Sequence, residues 1–570
     1  MQQKTRGHPL LRYITYVFFA ATLSATAADL RGENPPQISR LREFRPIGGS
    51  GNNLENPDLD AVPGAAELRI APLNFAGPNN TPISGPNPRV ISNVISGGTG
   101  ANGQNGQTGD PVASDWLYVF GQFVDHDLDL EETPLTNPDI SIPVLPGDPV
   151  FPAGTSIAMN RATRDPETNT IINTSAGYLD LSQLYGSTRA VADSLRNPDG
   201  TLKTSDNGLA LPVVNDQFVT GDPRVMENAE LTVATILFMR EHNYWVGVLK
   251  AQHHEWTGNQ LYNMAKAITT AEYQNIIYTE YLPLLLGADF LEPYRGYNPE
   301  VNAQVTQEFS TAAFRVGHSQ ISDTQNGIDN NGNVTFTESL AQSFFNTPEI
   351  DEANGLNNLL RSLSIGGAQA TDVFAVAVLR NLLFAGLVGG GVDAIDLIAI
   401  DIQRQRDVGL GSLNQTRVAL GLPPHHSFGE LAECAADPVV LGLFQSVYGS
   451  IDNVDLFMGG LAESPVPPTV PNVGVVGETF REIIGRQFEN LRDGDRFFWK
   501  NQGFDEQTAE MISHTTLADL LVRDNDTPNL RGQTNAFIAA PLPSPAPHAP
   551  IPDPIDRHGL SRLPFIDDGM

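Results

Sequence analysis

Apolar residues recur at helical spacing in six stretches, 112–130, 229–252, 262–286, 305–320, 372–388 and 476–491. That period predicts six helices. The remainder differs in kind. Residues 28–110 are rich in Gly, Pro and Asn ("GGSGNNLENPD", "FAGPNNTPISGPNPR") with little periodicity, which predicts an irregular arm wrapped on the body. "PDGTLKTSDNGLALP" alternates about turn dipeptides and predicts a β-hairpin near 199–214. "DTQNGIDNNGNVTF" (323–336) predicts an exposed loop; its Asp and Asn spacing suits a calcium loop poorly, because the closing Glu is misplaced. From Ala540 the tail "APLPSPAPHAPIPDP" is Pro-rich and reads as extended or disordered. With no internal repeat, the simplest parse is mainly α: one helical body over 111–539 with few short β-hairpins, preceded by the arm and followed by a tail over 540–570.

The first helix is odd. After the apolar "WLYVF" (116–120), "GQFVDHDLDL" (Gly121 to Leu130) sets Asp125, His126, Asp127 and Asp129 among Phe123, Val124 and Leu128. An Asp on a helix usually faces water, but charges set among apolar neighbours need partners, because burial without them is costly. Gln122 and His126, four apart, share a face with Asp125 beside them. Asp127 projects about 100° away. One short segment thus offers a base to one space and a carboxylate to another.

Charge and cysteine content narrow the partners. With 34 basic and 66 acidic residues the net charge is −32, which repels phosphate backbones and anionic membranes, so nucleic acid is excluded as a natural partner. Residues 1–27 read as a signal peptide: basic "MQQKTRGHPLLR", apolar "YITYVFFAATL", then the small-residue site "ATA". Its removal takes Lys4, Arg6 and Arg12 and no acid, leaving the mature chain more negative still. The apolar run is too short for a permanent anchor, and no other segment is apolar enough to span a bilayer. A secreted or periplasmic location follows. Cys434 is the only cysteine, so stability in an oxidising compartment must come from core size, a cofactor or metal ions rather than an internal disulfide.

Four further segments carry candidate chemistry. "GYLDLSQLYGS" (177–187) spaces Asp180 and Ser182 so that carboxylate, hydroxyl and backbone oxygens could meet in a tight loop, which is what Ca²⁺ takes. "GDPRVMENAELTVATILFMREHN" (221–243) places Arg224 and Glu227 before an apolar helix, where Glu227 and Glu230 could equally be ordinary helix-dipole partners. "AAFRVGHSQI" (312–321) holds His318 between apolar neighbours, as a core histidine or a ligand. "IDIQRQRDVGL" (400–410) packs Asp401, Arg404, Arg406 and Asp407 between apolar runs, which a buried ion-pair network would explain as well. The pairs His253–His254 and His425–His426 diverge on a helix with nothing nearby to complete a site, so they read as solvent-facing or capping residues. Cys434 reads as a small buried residue.

In this order and spacing, with "NNLENPDL" near the start and "LRDGDRFFW" near the end, the five segments resemble the animal-type haem peroxidase superfamily, the group of myeloperoxidase, lactoperoxidase and peroxidasin. The resemblance runs from about Phe44 to Phe537 and suggests a secreted, bacterial-type member without disulfides. It implies haem b, with His126 as distal base, Gln122 beside it in the halide pocket and Arg224 as distal arginine. Asp125 and Glu227 would be ester-linking residues, His318 the proximal iron ligand and Arg404 a haem-propionate partner. A calcium ion would be held by Asp127, Asp180, Ser182 and the Tyr178 carbonyl.

Three positions depart from the pattern. Ala176 stands where the family has a ligating Thr, unless Thr174 or Ser175 swings in. Asp401 stands where the resemblance leads one to expect Asn behind the proximal histidine. Asn228 stands where myeloperoxidase has a methionine bonded to the haem. The implied activity is reduction of hydrogen peroxide with oxidation of halides, thiocyanate or phenols. A fatty-acid dioxygenase or cyclooxygenase would place a tyrosine close before the proximal histidine; Arg315 stands three before it. A non-catalytic adhesion or matrix protein would be expected to lack His126, Arg224 or His318, and all three are present.

Overall fold

The computed structural model describes residues 38–97, 109–345, 353–385, 394–434, 438–463, 474–525 and 535–539. The signal-peptide reading and the Pro-rich tail lie outside them. Helices dominate, and the described strands form five two-stranded sheets. Six helices place the site: α1 (Trp116–Leu128), α2 (Ser182–Tyr185), α3 (Ala229–Gln252), α4 (Gly258–Ile276), α5 (Leu397–Asp407) and α6 (Glu478–Asp493).

The core forms around α1. Phe123 stacks on Phe238 of α3 with ring centroids 4.9 Å apart, and Tyr273 of α4 meets both edge-on. Phe120 packs against Tyr281 and Phe537. Each such ring buries a large apolar area and adds about 0.5–1.5 kcal/mol through pair geometry. Gly121 lets α1 approach this wall, since a Cβ there would lie 2.8 Å from the Tyr281 hydroxyl. The helix stops at Leu128 because Asp129 turns extended (φ −145°, ψ 151°). A strand, Gly109–Ser114, precedes it, so the helix is shorter than the predicted 112–130.

The predicted helices at 229–252 and 476–491 form as Ala229–Gln252 and Glu478–Asp493. The 262–286 pattern becomes α4, begun by a Thr257–Gln260 capping box, then a π-helical turn and Leu282–Leu286. Four expectations are corrected. The 305–320 helix is broken into Gln307–Thr311, Ala313–Val316 and Gly317–Gln320, the first break falling at Ala312 (φ −135°, ψ −68°). Of 372–388, the described residues form a helix only at Ala377–Asn381. The supposed loop 323–336 is a β-hairpin, Thr324–Ile328 paired antiparallel with Val334–Ser339. Its tip is closed by Asp329, which accepts from the Asn331 and Asn333 backbone and the Asn333 amide, and by Gly332 at φ 83°. The turn residues masked the alternation of "VTFTES". Near 199–214 the paired strands lie later, Val213–Val214 with Gln217–Phe218, with an isolated bridge from Arg196 to Leu202.

The arm is tied down by specific contacts. Ile38 and Leu41 pack with Trp245, Trp256 and Ile268. Arg45 pairs with Asp495, and the Asn52 amide donates to the same carboxylate at 2.7 Å. Arg89, buried after the short strands 75–77 and 81–82, bridges Asp148 and Asp396.

Candidate functional site

His126 is 5% exposed, and its Nε2 lies 3.7 Å from Oε2 of Glu227. Burial, reinforced by the positive charge of Arg224, lowers its pKa to about 3, so the ring is neutral. Gln122, one turn earlier on α1, donates to Glu227 Oε2 at 3.0 Å and accepts from the Asn228 amide at 3.0 Å. Asn228 is also the N-cap of α3, accepting from Leu231 N. That cap fixes where Glu227 sits. Burial raises Glu227 to about 7.

Arg224 is held through Nε and Nη2 by Asp222 and through Nη2 by the Asp129 carbonyl. Asp222 was not singled out in the sequence, although its place two residues before Arg224 was a usable signal. Asp125 is raised by burial, opposed by Arg224, Arg315 and His318.

On the second face, His318 Nδ1 lies 2.7 Å from Asp401 Oδ2, and Arg315 Nη1 donates to Asp401 Oδ1 at 2.8 Å. Asp401 is fully buried. A carboxylate only accepts, so Nδ1 carries the hydrogen and Nε2 is the nitrogen left for a metal. Arg315, three residues before His318 in the broken helix, was missed as a site residue; that spacing is the signal that could have found it. Arg404 is directed elsewhere: its hydrogen bonds go to Asp407 at 2.6 Å and to the Asn160 carbonyl at 3.0 Å.

The two faces lie near each other. Asp125 and Glu227 both lie close enough to His318 for its charge to oppose their upward shifts, although 192 residues separate His318 from His126. Glu227, Arg224 and Arg315 are enclosed deep in the protein, yet keep 28%, 20% and 21% of their side chains accessible. An imidazole backed by a buried carboxylate, a neutral imidazole and an arginine form a donor set that fits haem.

The Asp127 side of α1 is separate. Asp127 accepts from the backbone N–H groups of Asp180, Leu181 and Ser182. Ser182 Oγ lies 3.0 Å from both the Asp127 carbonyl and its Oδ1. Oδ1 of Asp180 is buried without a hydrogen-bond partner. Burial, with Asp180 beside it, raises Asp127 to about 8. Lys266 and Arg45 partly compensate Asp180. Clustered oxygens with one orphaned carboxylate oxygen fit a hard cation. Thr174 does not supply the missing hydroxyl, since its Oγ1 donates to the Leu130 carbonyl at 2.9 Å. The Tyr178 phenol accepts from Ala61 N, so only its carbonyl could serve the ion.

The family model for animal haem peroxidases matches residues 44–537. The chain belongs to the animal haem peroxidase family. This peroxidase is therefore a haem-dependent oxidoreductase. It is 30% identical over 546 residues to lactoperoxidase from Mesocricetus auratus, covering 84% of this chain and 75% of that one. Peroxidase A from Dictyostelium discoideum superposes with a TM-score of 0.76 at 28% identity, covering 87% of this chain and 99% of the other. A fatty acid alpha-dioxygenase from Arabidopsis thaliana, at 18% identity over 91% and 88% of the two chains and a TM-score of 0.72, shares the fold. No described helix is long and apolar enough to cross a membrane.

Proposed function

We propose that this peroxidase is a secreted enzyme that uses hydrogen peroxide to oxidise iodide, bromide and thiocyanate, with phenols as alternative donors. The observation that carries the reading is a buried neutral His126 beside Arg224, together with a His318 backed by Asp401 and near enough for its charge to act on Asp125. Haem b, when bound, supplies the iron at which peroxide is reduced and from which donors are oxidised. The chain supplies the rest. His126 takes the proton from the near oxygen of peroxide and returns it to the far one. Arg224 stabilises the negative charge that develops as the O–O bond breaks, and its Nη1 makes no hydrogen bond among the described residues. Gln122, clamped by Glu227 and Asn228, lines the pocket next to His126. His318 would hold the iron through Nε2, its Nδ1–H being held by Asp401.

Ester links from Asp125 and Glu227 to the haem would remove two buried charges. Arg404 reaches a haem propionate in this reading only by sharing or exchanging its Asp407 partner. Asp127, Asp180, Ser182 and the Tyr178 carbonyl hold calcium as a structural ion. Steady-state turnover across chloride, bromide, iodide, thiocyanate and a phenol, with the peroxide response of the Soret band, tests the reading. A Soret band indifferent to peroxide would overturn it.

A further inference from the structure

Tyr185, at the end of α2, is fully buried, and its hydroxyl lies 3.0 Å from Nδ1 of His242 on α3. The other ring nitrogen, Nε2, lies 3.0 Å from the Gly200 carbonyl. A carbonyl only accepts, so Nε2 must carry the hydrogen, Nδ1 must be the acceptor, and the Tyr185 phenol must donate to it. Burial lowers His242 to about 4, which keeps the ring neutral and able to take a proton. Three other buried tyrosines are placed differently. Tyr278 donates to the Phe488 carbonyl, which cannot take a proton. Tyr448 donates to Asp455, already held by Arg406. Tyr118 meets Glu230, whose carboxyl burial pushes far up.

The pair is connected on both sides. Toward the peroxide site, Ser182 of α2 hydrogen-bonds Asp127, the residue next to His126, and the Gln183 amide donates to the Phe123 carbonyl. One turn before His242 on α3, Phe238 stacks on Phe123. Toward the surface, Tyr262 lies edge-on to both Tyr185 and His242, with centroids 6.0 and 5.2 Å away. Arg196, one-fifth exposed, covers the Tyr262 ring.

We propose that Tyr185 is a redox-active tyrosine that takes up an oxidising equivalent when no donor is bound. One electron leaves the phenol for the peroxide-oxidised haem, which is thereby reduced by one equivalent. The phenolic proton crosses to Nδ1 of His242, leaving a neutral phenoxyl radical beside an imidazolium. Re-reduction returns one electron and the same proton. The proton shift keeps the positive charge off the ring that Lys266 faces at 4.5 Å and puts it on His242, where Glu241 partly offsets the burial and the Lys266 charge that oppose an imidazolium. This inference rests on the haem reading above.

The test mixes the haem-loaded enzyme with hydrogen peroxide in the absence of donor and freezes it for electron paramagnetic resonance. A tyrosyl signal is expected, which Tyr185→Phe removes while the Soret response to peroxide and iodide turnover are retained. In D₂O, with ¹⁵N-labelled histidine, the wild-type radical should couple to an exchangeable deuteron and to one ¹⁵N nucleus. That measurement decides the matter even if the variant fails to fold. A peroxide-shifted Soret band without a tyrosyl radical, a signal unchanged in Tyr185→Phe, or a radical without ¹⁵N coupling each overturns the proposal and leaves the peroxidase reading standing. A Soret band that peroxide does not shift removes the haem reading itself.

Discussion

Asp401 divides its two oxygens between His318, at 2.7 Å, and Arg315, at 2.8 Å. The carboxylate is thus aimed at the proximal ring rather than spent on its helix neighbours Arg404 and Arg406, which pair with Asp407 and Asp455. A charged acceptor makes a hydrogen bond roughly twice as strong as a neutral amide does. With the iron held by His318, as proposed, it would enrich the imidazole in electrons and favour the ferric state, while Arg315 would temper the effect.

Asp401→Asn should therefore raise the ferric/ferrous potential. A tenfold change in the equilibrium corresponds to about 59 mV for one electron, so a rise on the order of 60 mV is expected in spectroelectrochemical titration. An unchanged or lowered potential would falsify the assignment.

Donor range should follow from the same side chain and from Asn228. Asparagine cannot form the sulfonium link of myeloperoxidase, and here its amide is occupied by Gln122. In the proposed reading both features would keep the potential low, and chloride is the hardest halide to oxidise. Iodide and bromide should be turned over at pH 7 with little or no chloride oxidation. Chloride rates matching bromide would show that the potential is set elsewhere.

The distal base should work over a wide acid range. His126 titrates near 3, so it stays neutral as pH falls from 7 to about 4, and peroxide activation should fall only as pH approaches 3. Glu227, 3.7 Å away and raised to about 7, adds an inflection near neutrality if its carboxyl is free; an ester link abolishes it. His126→Ala should slow the reaction with peroxide about 10²–10⁴-fold, the usual contribution of a positioned acid–base group. Stopped-flow rates across pH check all three points.

Calcium removal should act on stability and spectrum together. Asp127 and Ser182 join α1 to the α2 loop, and stripping a cation would leave buried like charges at Asp127 and Asp180. Prolonged chelation should lower the melting temperature and perturb the Soret band. Calcium loss verified by metal analysis with neither change would refute the structural role.

How much of this was legible in the sequence depends on what each residue does. His126, Arg224 and His318 stand out because a titratable group among apolar neighbours is visible in one dimension. Asp401 was visible too, but whether it would meet His318 or an arginine on its own helix was not, since that choice is made by packing between segments 83 residues apart. Arg315 was hidden for a related reason: the 305–320 pattern reads as one helix, and the break at Ala312 that sets Arg315 and His318 against Asp401 leaves no periodic trace. The hairpin at 324–339 was lost because its turn residues outweighed a short alternation.

The clasp between the arm and the C-terminal third bears on assembly. Arg45 and Asn52 reach a carboxylate 450 and 443 residues downstream. A contact that distant is formed late, because the intervening chain must first be synthesised and brought into register. Until residue 495 emerges, Arg45 and Asn52 lack this partner, although Ile38 and Leu41 can already pack on Trp245, Trp256 and Ile268, and burying Arg45 before Asp495 arrives would be costly. Vectorial synthesis thus delays the sealing of the arm against the body until the helices that carry the haem site have already been made.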